Sequence, residues 1–141
     1  MDINKIFGLF NDNSGRDKIN ENLEDFKKTP YFKIGMFKKL VMNGINFKIK
    51  VVSFFSRADE DFNTNEIDLA GEFMIYTRAW FWIEQIDWND PEWVEDIKRS
   101  SDENFLVAVK LTIHYFEEQE EYEKCAFLKK LQDFIQENLE D

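Results

Sequence analysis

Residues 31–55, YFKIGMFKKLVMNGINFKIKVVSFF, decide the predicted fold. At their centre lies Asn43-Gly44, a pair that suits both positive-φ positions of a two-residue type I′ turn. Beyond that turn every second residue is apolar, which is typical of a strand with one buried face. These alternating residues are Ile45, Phe47, Ile49 and Val51. The stretch therefore predicts an antiparallel β-hairpin over about residues 31–55.

Helical patterns lie on both sides of this hairpin. Residues 1–30 predict a helical N-terminal segment. Over about residues 66–86, apolar residues recur at spacings of four and three, which predicts a central helix. The stripe consists of Leu69, Phe73, Tyr76, Trp80 and Ile83. Aromatic and β-branched residues within 73–83 also fit a strand, but the length of the pattern favours the helix.

The remainder of the chain predicts three further helices. Asp90, which precedes a proline, is an N-cap that begins a short helix. Helices over about 103–118 and 121–138 follow, and Ser101 or Asp102 caps the first of them. The link EEQEE between these two helices predicts an antiparallel helical hairpin, with one continuous helix as the alternative.

Together these patterns predict an α+β fold. It is a mostly helical single domain in which one antiparallel β-hairpin packs on the central helix, beside the C-terminal helical hairpin. A chain of 141 residues has the usual size of one domain, so the domain is expected to span residues 1–141. Within it we expect a helical N-terminal segment at 1–30, a basic β-hairpin at 31–56 and a helical part at 66–138.

Charge is distributed unevenly along the chain. The net charge is −11, which argues against general affinity for nucleic acid or for an anionic membrane. From Lys27 to Arg57, however, there are eight Lys and Arg residues and no Asp or Glu. From Asp87 to the end there are sixteen acids and six bases. The sequence therefore predicts a molecule with a basic region and an acidic region.

Several sequence features indicate a cytoplasmic protein. No apolar run approaches the length of a membrane span, and the first residues lack a basic region followed by an apolar one. Cys125 is the single cysteine, so no internal disulfide can form, which fits a reducing compartment. We expect no membrane partner.

The residue types that usually carry catalysis are scarce. His114 is the single histidine, so neither a His-based triad nor a histidine metal cluster can be assembled. The five glycines are scattered and form no phosphate-binding loop. The acids at 59–61, Glu66 and Asp68 lack the spacing of a calcium loop. The sequence predicts no catalytic residue, no metal and no cofactor, and so a protein that is not an enzyme.

Residues 120–135, EEYEKCAFLKKLQDFI, resemble the UVR motif. That motif is the short helical hairpin of UvrB, UvrC and some adaptors of Clp ATPases. Tyr122, Ala126 and Leu128 occupy its apolar positions, whereas Lys129-Lys130 stands where the family often has Arg-Asp. HYFEEQEEYEKCA is similar to the turn of a tetratricopeptide repeat, although no second copy follows at that period. Both resemblances imply contacts with proteins.

These observations predict a protein–protein interaction module with an acidic helical surface. It would act as an adaptor or inhibitor, of the sort that small phage or other mobile-element proteins often supply. Aromatic residues beyond the needs of one core tend to be interface anchors. The predicted partner-binding residues are acidic or aromatic: Trp88, Trp93, Glu117, Glu118, Glu120 and Glu121. The expected partner is another protein, and a basic one suits this surface.

The alternative function is nucleic-acid binding through the basic hairpin. Its lysines would contact phosphates, and one aromatic ring would stack on a base. The residues concerned are Lys33, Lys39, Lys48, Lys50 and Phe37. In the predicted register Lys39 lies opposite Lys48, an unfavourable pair of like charges that calls for an anionic cover. The acidic helices of the same molecule, or of a second copy in a homo-oligomer, would also provide such a cover.

Overall fold

The structure is a computed structural model that describes residues 13–58 and 65–140, without the side chains of residues 13–16 and Phe55. Within these residues the chain forms six α-helices and no strand. The helices are α1 (Asn13–Lys27), α2 (Pro30–Ala58), α3 (Asn65–Ile83), α4 (Pro91–Ser100), α5 (Glu103–Glu118) and α6 (Tyr122–Leu139). The first twelve residues of the predicted N-terminal segment, and the acids at 59–61, lie outside the described residues.

The predicted β-hairpin over residues 31–55 is wrong. Pro30–Ala58 forms one continuous helix of 29 residues, so the described fold is all-helical rather than α+β. The helix begins with a proline in its first turn, and the hydroxyl of Thr29 accepts a hydrogen bond from the N–H of Phe32 at 3.2 Å. Both features are preferred at helix N-termini. The segment at 31–56 is basic, as predicted, but it is not a β-hairpin.

Burial along α2 follows the helical period and not the alternation of a strand. Ile34, Phe37 and Val41 are fully buried, at spacings of three and four. In contrast, Phe47 is 69% exposed and Ile49 is also exposed. The alternating apolar residues that predicted a half-buried strand therefore do not form one buried face.

The Asn43-Gly44 pair lies inside α2 because of its packing against α3. A glycine within a helix costs about 1 kcal/mol relative to alanine, so local preference favours a turn here. A Cβ atom at Gly44, however, would lie 2.7 Å from Cγ1 of Ile75. The two helices approach each other so closely at this point that only glycine fits. This tertiary contact outweighs the turn preference of the pair.

The central helix predicted over 66–86 is present as α3. It is helical throughout, so the strand alternative for its aromatic part is excluded. Tyr76 and Ile83 of the predicted apolar stripe are buried, but Leu69, 64% exposed, and Phe73 lie on the surface. The second half of α3 thus lies in the core, while its first half projects beyond it.

The predicted N-caps of α4 and α5 are confirmed. The carboxylate of Asp90 accepts a hydrogen bond from the N–H of Glu92 at 2.9 Å. The carboxylate of Asp102 accepts one from the N–H of Phe105 at 2.7 Å and forms an ion pair with Lys38 at 2.8 Å. Asp102 therefore caps α5 and also joins it to α2.

Asp102→Asn is expected to remove part of the acid sensitivity of the fold. Partial burial raises the pKa of this carboxyl, but the hydrogen bonds from Lys38 and from Phe105 N–H outweigh burial, so its pKa is lowered overall. A carboxyl with a depressed pKa stabilises the fold above its unfolded-state pKa and loses that contribution as the pH falls through its folded-state pKa. Asparagine keeps the cap but lacks the charge.

Urea unfolding of both forms between pH 7 and pH 2 measures this effect. The wild-type protein should be more stable than Asp102→Asn at neutral pH. The difference should begin to shrink near about pH 4, where aspartate in the unfolded chain becomes protonated, and should vanish only below the lowered pKa of Asp102 in the folded protein. A difference that stays constant across this range would show that the charge of Asp102 contributes nothing.

The C-terminal helical hairpin is formed by α5 and α6. The chain turns between them at Glu120, which has a φ of 59°. The N–H of Glu121 donates to the carbonyl oxygen of Phe116 at 2.9 Å, which ends α5 in the manner of a Schellman motif. Across the hairpin, the thiol of Cys125 lies 3.8 Å from the carbonyl oxygen of Ile113. The alternative of one continuous helix is therefore excluded.

The core is built from the first half of α2, the second half of α3, and α4 to α6. Its fully buried side chains include Phe37, Ile83, Ile97, Phe105, Val109, Leu128, Leu131 and Ile135. Among the described side chains, none of residues 42–58 or 65–75 is fully buried. These two stretches, here called the α2–α3 arm, extend from the core as a pair of packed helices.

Candidate functional site

An apolar groove runs along the junction of α2 and α3, from the core into the arm. Its volume is about 410 Å³. It is lined by Met36, Lys39, Leu40, Asn43, Gly44, Phe47, Lys48 and Val51 of α2 and by Ile67, Gly71, Met74, Ile75 and Arg78 of α3. Most of these side chains are hydrophobic, and the charged ones are all cationic. We call this feature the α2–α3 groove.

Two glycines give the groove its shape. Gly44 lets α2 approach Ile75 closely, so the helices touch along the floor of the groove. On α3, a Cβ at Gly71 would meet only Lys48, at 3.8 Å. The missing side chain at Gly71 therefore leaves open space at this point of the wall. Small residues at such positions let two helices pack closely and leave a channel beside their contact line.

The groove exposes large apolar side chains to solvent. Phe47 is 69% exposed and Met74 is 60% exposed. One side chain comes from each helix, so the apolar surface spans both walls. Contiguous exposed apolar surface of this kind marks interaction sites in soluble proteins, because leaving it in water is unfavourable.

The three cations along the groove differ in whether a carboxylate lies close enough to neutralise them. The ammonium of Lys48 lies 2.8 Å from the Glu72 carboxylate and 3.9 Å from that of Asp68, so acids of α3 neutralise it. The sequence predicted Lys39 opposite Lys48 in a hairpin, with an anionic cover over both; that register is wrong, and of the two only Lys48 pairs with acids of α3 in the described part of the chain. Lys39 and Arg78 are exposed, and neither has a carboxylate within ion-pair distance among the described residues. The groove therefore has a positive rim.

The predicted nucleic-acid-binding residues do not form one surface. Phe37 is fully buried, with its ring centre 6.1 Å from that of Phe105, so its ring is not available to a base. Lys33 lies over the ring of Trp93, 5.8 Å from its centre. Lys48 turns toward α3. Only Lys39 and Lys50 lie on a common exposed face of α2, three turns apart.

The four predicted glutamates do come together at the α5–α6 turn. All of them are exposed; they are Glu117, Glu118, Glu120 and Glu121. Glu118 lies 3.1 Å from the imidazole of His114, and Glu121 lies 3.0 Å from the ammonium of Lys124. Tyr122, also exposed, follows directly in the chain. Their role in binding a partner stays a prediction.

The two predicted tryptophans lie away from these glutamates. Trp93 is buried in the core, and Trp88 is half-buried, with its ring centre 5.3 Å from that of Phe134. Phe134 is about 20 Å along α6 from the acidic turn, at 1.5 Å per residue. The structure thus separates the acidic and the aromatic members of the predicted partner-binding set.

The side chains that could act as nucleophiles or acids are not activated by their surroundings. Burial, followed by the negative charges of Glu117 and Glu121, raises the pKa of the Cys125 thiol, which keeps it protonated at neutral pH. Burial also raises the pKa of Tyr76 to about 12, so its hydroxyl stays neutral. In the described residues, no group of three His, Cys, Asp or Glu side chains could hold a metal ion.

No helix among the described residues has both the length and the apolar character needed to cross a lipid bilayer. Comparisons of the chain with protein-family models, with curated proteins and with solved structures give no match. The resemblance of residues 120–135 to the UVR motif therefore stays a prediction.

Sequence reasoning missed the α2–α3 groove, although a signal for it exists. Met36, Leu40, Phe47 and Val51 lie on one face of a helix, at spacings of four, seven and four. The Asn43-Gly44 pair masked this helical stripe, because it divided the segment into two predicted strands.

Proposed function

We propose that this protein is a non-catalytic protein–protein interaction module that binds an amphipathic helix of another protein in the α2–α3 groove. The observation that carries the proposal is the exposure of Phe47 and Met74 on the two walls of one continuous apolar groove. Such a groove suits an adaptor or an inhibitor, because its binding depends on shape and burial and needs no reactive group.

The dimensions of the groove favour a helical ligand. Its lining on α2 extends from Met36 to Val51, a length of about 22 Å at 1.5 Å per residue. This length corresponds to about four turns of helix. A third helix can lay an apolar stripe between two packed helices, with anchors at every third or fourth residue.

Binding of a designed peptide to the full-length protein tests the proposal. The peptide is an 18-residue helix former with leucines at i, i+4, i+7 and i+11 and neutral flanks, and its fluorescence anisotropy is followed. Phe47→Asp and Met74→Asp are each expected to weaken binding about 10- to 100-fold. Burial of one such side chain is worth about 1.5–3 kcal/mol, which a carboxylate cannot replace.

Leu69→Asp is the matched control. Leu69 is as exposed as Met74 and lies on the same helix, but it does not line the groove. This variant should bind the peptide as the wild type does, and circular dichroism should show all three variants to be folded. Equal loss of affinity in all three variants, or no binding by the wild type, would contradict the proposed function.

Nucleic-acid binding has less support. It was based on a basic β-hairpin with an accessible Phe37, whereas that ring is buried in a helix. Lys39 and Lys50 remain as exposed cations on one face of α2, but the net charge of −11 opposes a polyanion.

A further inference from the structure

We propose that the helix bound in the α2–α3 groove is an acidic amphipathic helix, whose carboxylates pair with Lys39 and Arg78. This inference rests on the proposed function and adds the charge of the partner and the two residues that recognise it. Pairing with exposed cations adds modest affinity and contributes mainly to selection between partners.

The charge of the groove differs in sign from that of the whole protein. The net charge is −11, yet among the described residues the groove is lined by three cations and by no Asp or Glu. Lys48 is already neutralised by Glu72 and Asp68. Lys39 and Arg78 therefore supply the positive potential that remains for a ligand. A cationic helix would meet like charges here, whereas an anionic helix would be attracted.

Lys39 and Arg78 lie at the same level of the groove, on its two opposite walls. Gly44 packs against Ile75, and Lys48 pairs with Glu72, so a step forward along α2 corresponds to a step backward along α3. The two helices are thus antiparallel. With this register, Lys39 lies level with the turn of α3 that contains Arg78. The two cations form a clamp at the end of the groove nearest the core.

The position of the clamp predicts where the ligand carries its acids. A helix that fills the groove would place its apolar stripe on Leu40, Phe47 and Met74. Carboxylates on both flanks of that stripe, at the end nearest the core, would reach Lys39 and Arg78. The C-terminal end of a helix carries partial negative charge, so the same clamp favours a ligand whose C-terminus points toward the core.

The protein's own α1 fits this description poorly. Its apolar residues Ile19, Leu23 and Phe26 are exposed and have a suitable spacing. Successive residues of a helix are rotated by about 100° around its axis, however, and by this measure Lys27 lies nearer to the apolar stripe than Glu21 does. In the groove of a second copy, α1 would therefore bring a cation toward the clamp and keep its acids on the far side. The charge pattern favours a different protein as the partner.

Two peptides that differ only in their flanks test the inference on the full-length protein. Both carry the same leucine stripe, and the flanking positions are glutamate in one and lysine in the other. The Glu-flanked peptide is expected to bind about ten-fold more tightly at low salt. The ratio should shrink as salt is added, since exposed ion pairs are screened.

Charge reversal identifies the residues responsible. Arg78→Glu and Lys39→Glu should each lower the preference for the Glu-flanked peptide several-fold, and the double variant should prefer the Lys-flanked one. Lys110→Glu, an exposed residue of α5 outside the groove, changes the net charge by the same amount and should leave the preference unchanged.

The outcomes separate this inference from the proposed function. Equal affinity for the two peptides would overturn the acidic partner and leave the helix-binding groove standing. Binding of neither peptide would overturn both. Sedimentation of the protein alone gives a further check: a dimer that forms with increasing concentration and excludes the Glu-flanked peptide would make the groove a contact between copies and overturn the inference.

Discussion

Phe37→Ala is expected to lower the free energy of unfolding by about 3–5 kcal/mol, the usual cost of deleting a buried phenylalanine ring. Phe37 is fully buried, and its ring packs edge-on against that of Phe105, 6.1 Å between centres. This contact joins α2 to α5. The cavity left by the substitution would lie between two long helices that cannot both move to fill it.

Phe47→Ala is the matched control for this substitution. Both phenylalanines lie on α2, but Phe47 is 69% exposed, so its loss should change stability by less than about 0.5 kcal/mol. Urea denaturation, with the slope compared between variants, measures both effects. A β-hairpin over residues 31–55 would give the opposite order, since its alternation buries Phe47. A costly Phe47→Ala and a neutral Phe37→Ala would contradict the helix.

Gly44→Ala should destabilise the protein by up to about 2 kcal/mol, even though alanine is the better helix former. The intrinsic gain is about 1 kcal/mol. Against it, the new Cβ would lie 2.7 Å from Cγ1 and 2.9 Å from Cδ1 of Ile75, and such overpacking typically costs about 1–3 kcal/mol. Both branches of the Ile75 side chain are close to the new Cβ, Cγ1 at 2.7 Å and Cγ2 at 3.2 Å, so rotation of the terminal methyl group alone cannot relieve the contact.

Gly35→Ala gives the comparison within the same helix. No atom lies within 4 Å of a Cβ at Gly35, so this substitution should stabilise the protein by about 0.5–1 kcal/mol. A double-mutant cycle then identifies the cause of the Gly44→Ala effect. Ile75→Ala removes the atoms in conflict, so the double variant should lose at least about 1 kcal/mol less than the two single changes together. Strict additivity would show that Ile75 is not responsible.

The helices predicted from local signals agree closely with the structure. Those predicted over about 103–118 and 121–138 are present as Glu103–Glu118 and Tyr122–Leu139. The ends of these helices are set by local contacts between residues close in the chain. At the start of α5, for example, the carboxylate of Asp102 caps the helix. Their periodic apolar residues face a core. In this part of the chain, local preference and packing favour the same structure.

The error over residues 31–55 has a different origin. There, local preference and packing disagree, because Asn43-Gly44 favours a turn while contact with Ile75 requires a glycine inside a helix. A sequence alone does not indicate which residue of a later helix lies against a given glycine. The same limit hid the groove, since its walls are contributed by two helices whose register depends on that contact.

Among the predicted site residues, those that are neighbours in the chain were grouped correctly, whereas those placed by tertiary contacts were not. The glutamates of the α5–α6 turn were found together because they are neighbours in the chain. Trp88 and Trp93 were placed with them by residue type, but contacts with Phe134 and burial in the core separate them from the turn. The basic character of residues 31–56 was predicted correctly, whereas the face on which each lysine lies depended on the secondary structure.

One helix connects the proposed binding groove to the core of the protein. At 1.5 Å per residue, the 29 residues of α2 extend about 44 Å; its first half packs in the core, and the groove runs along it from Met36 to Val51. The same continuous helix, α2, therefore forms one wall of the groove and part of the core. A captured ligand would be presented at a constant angle to the rest of the molecule, and force applied to it would reach the core directly.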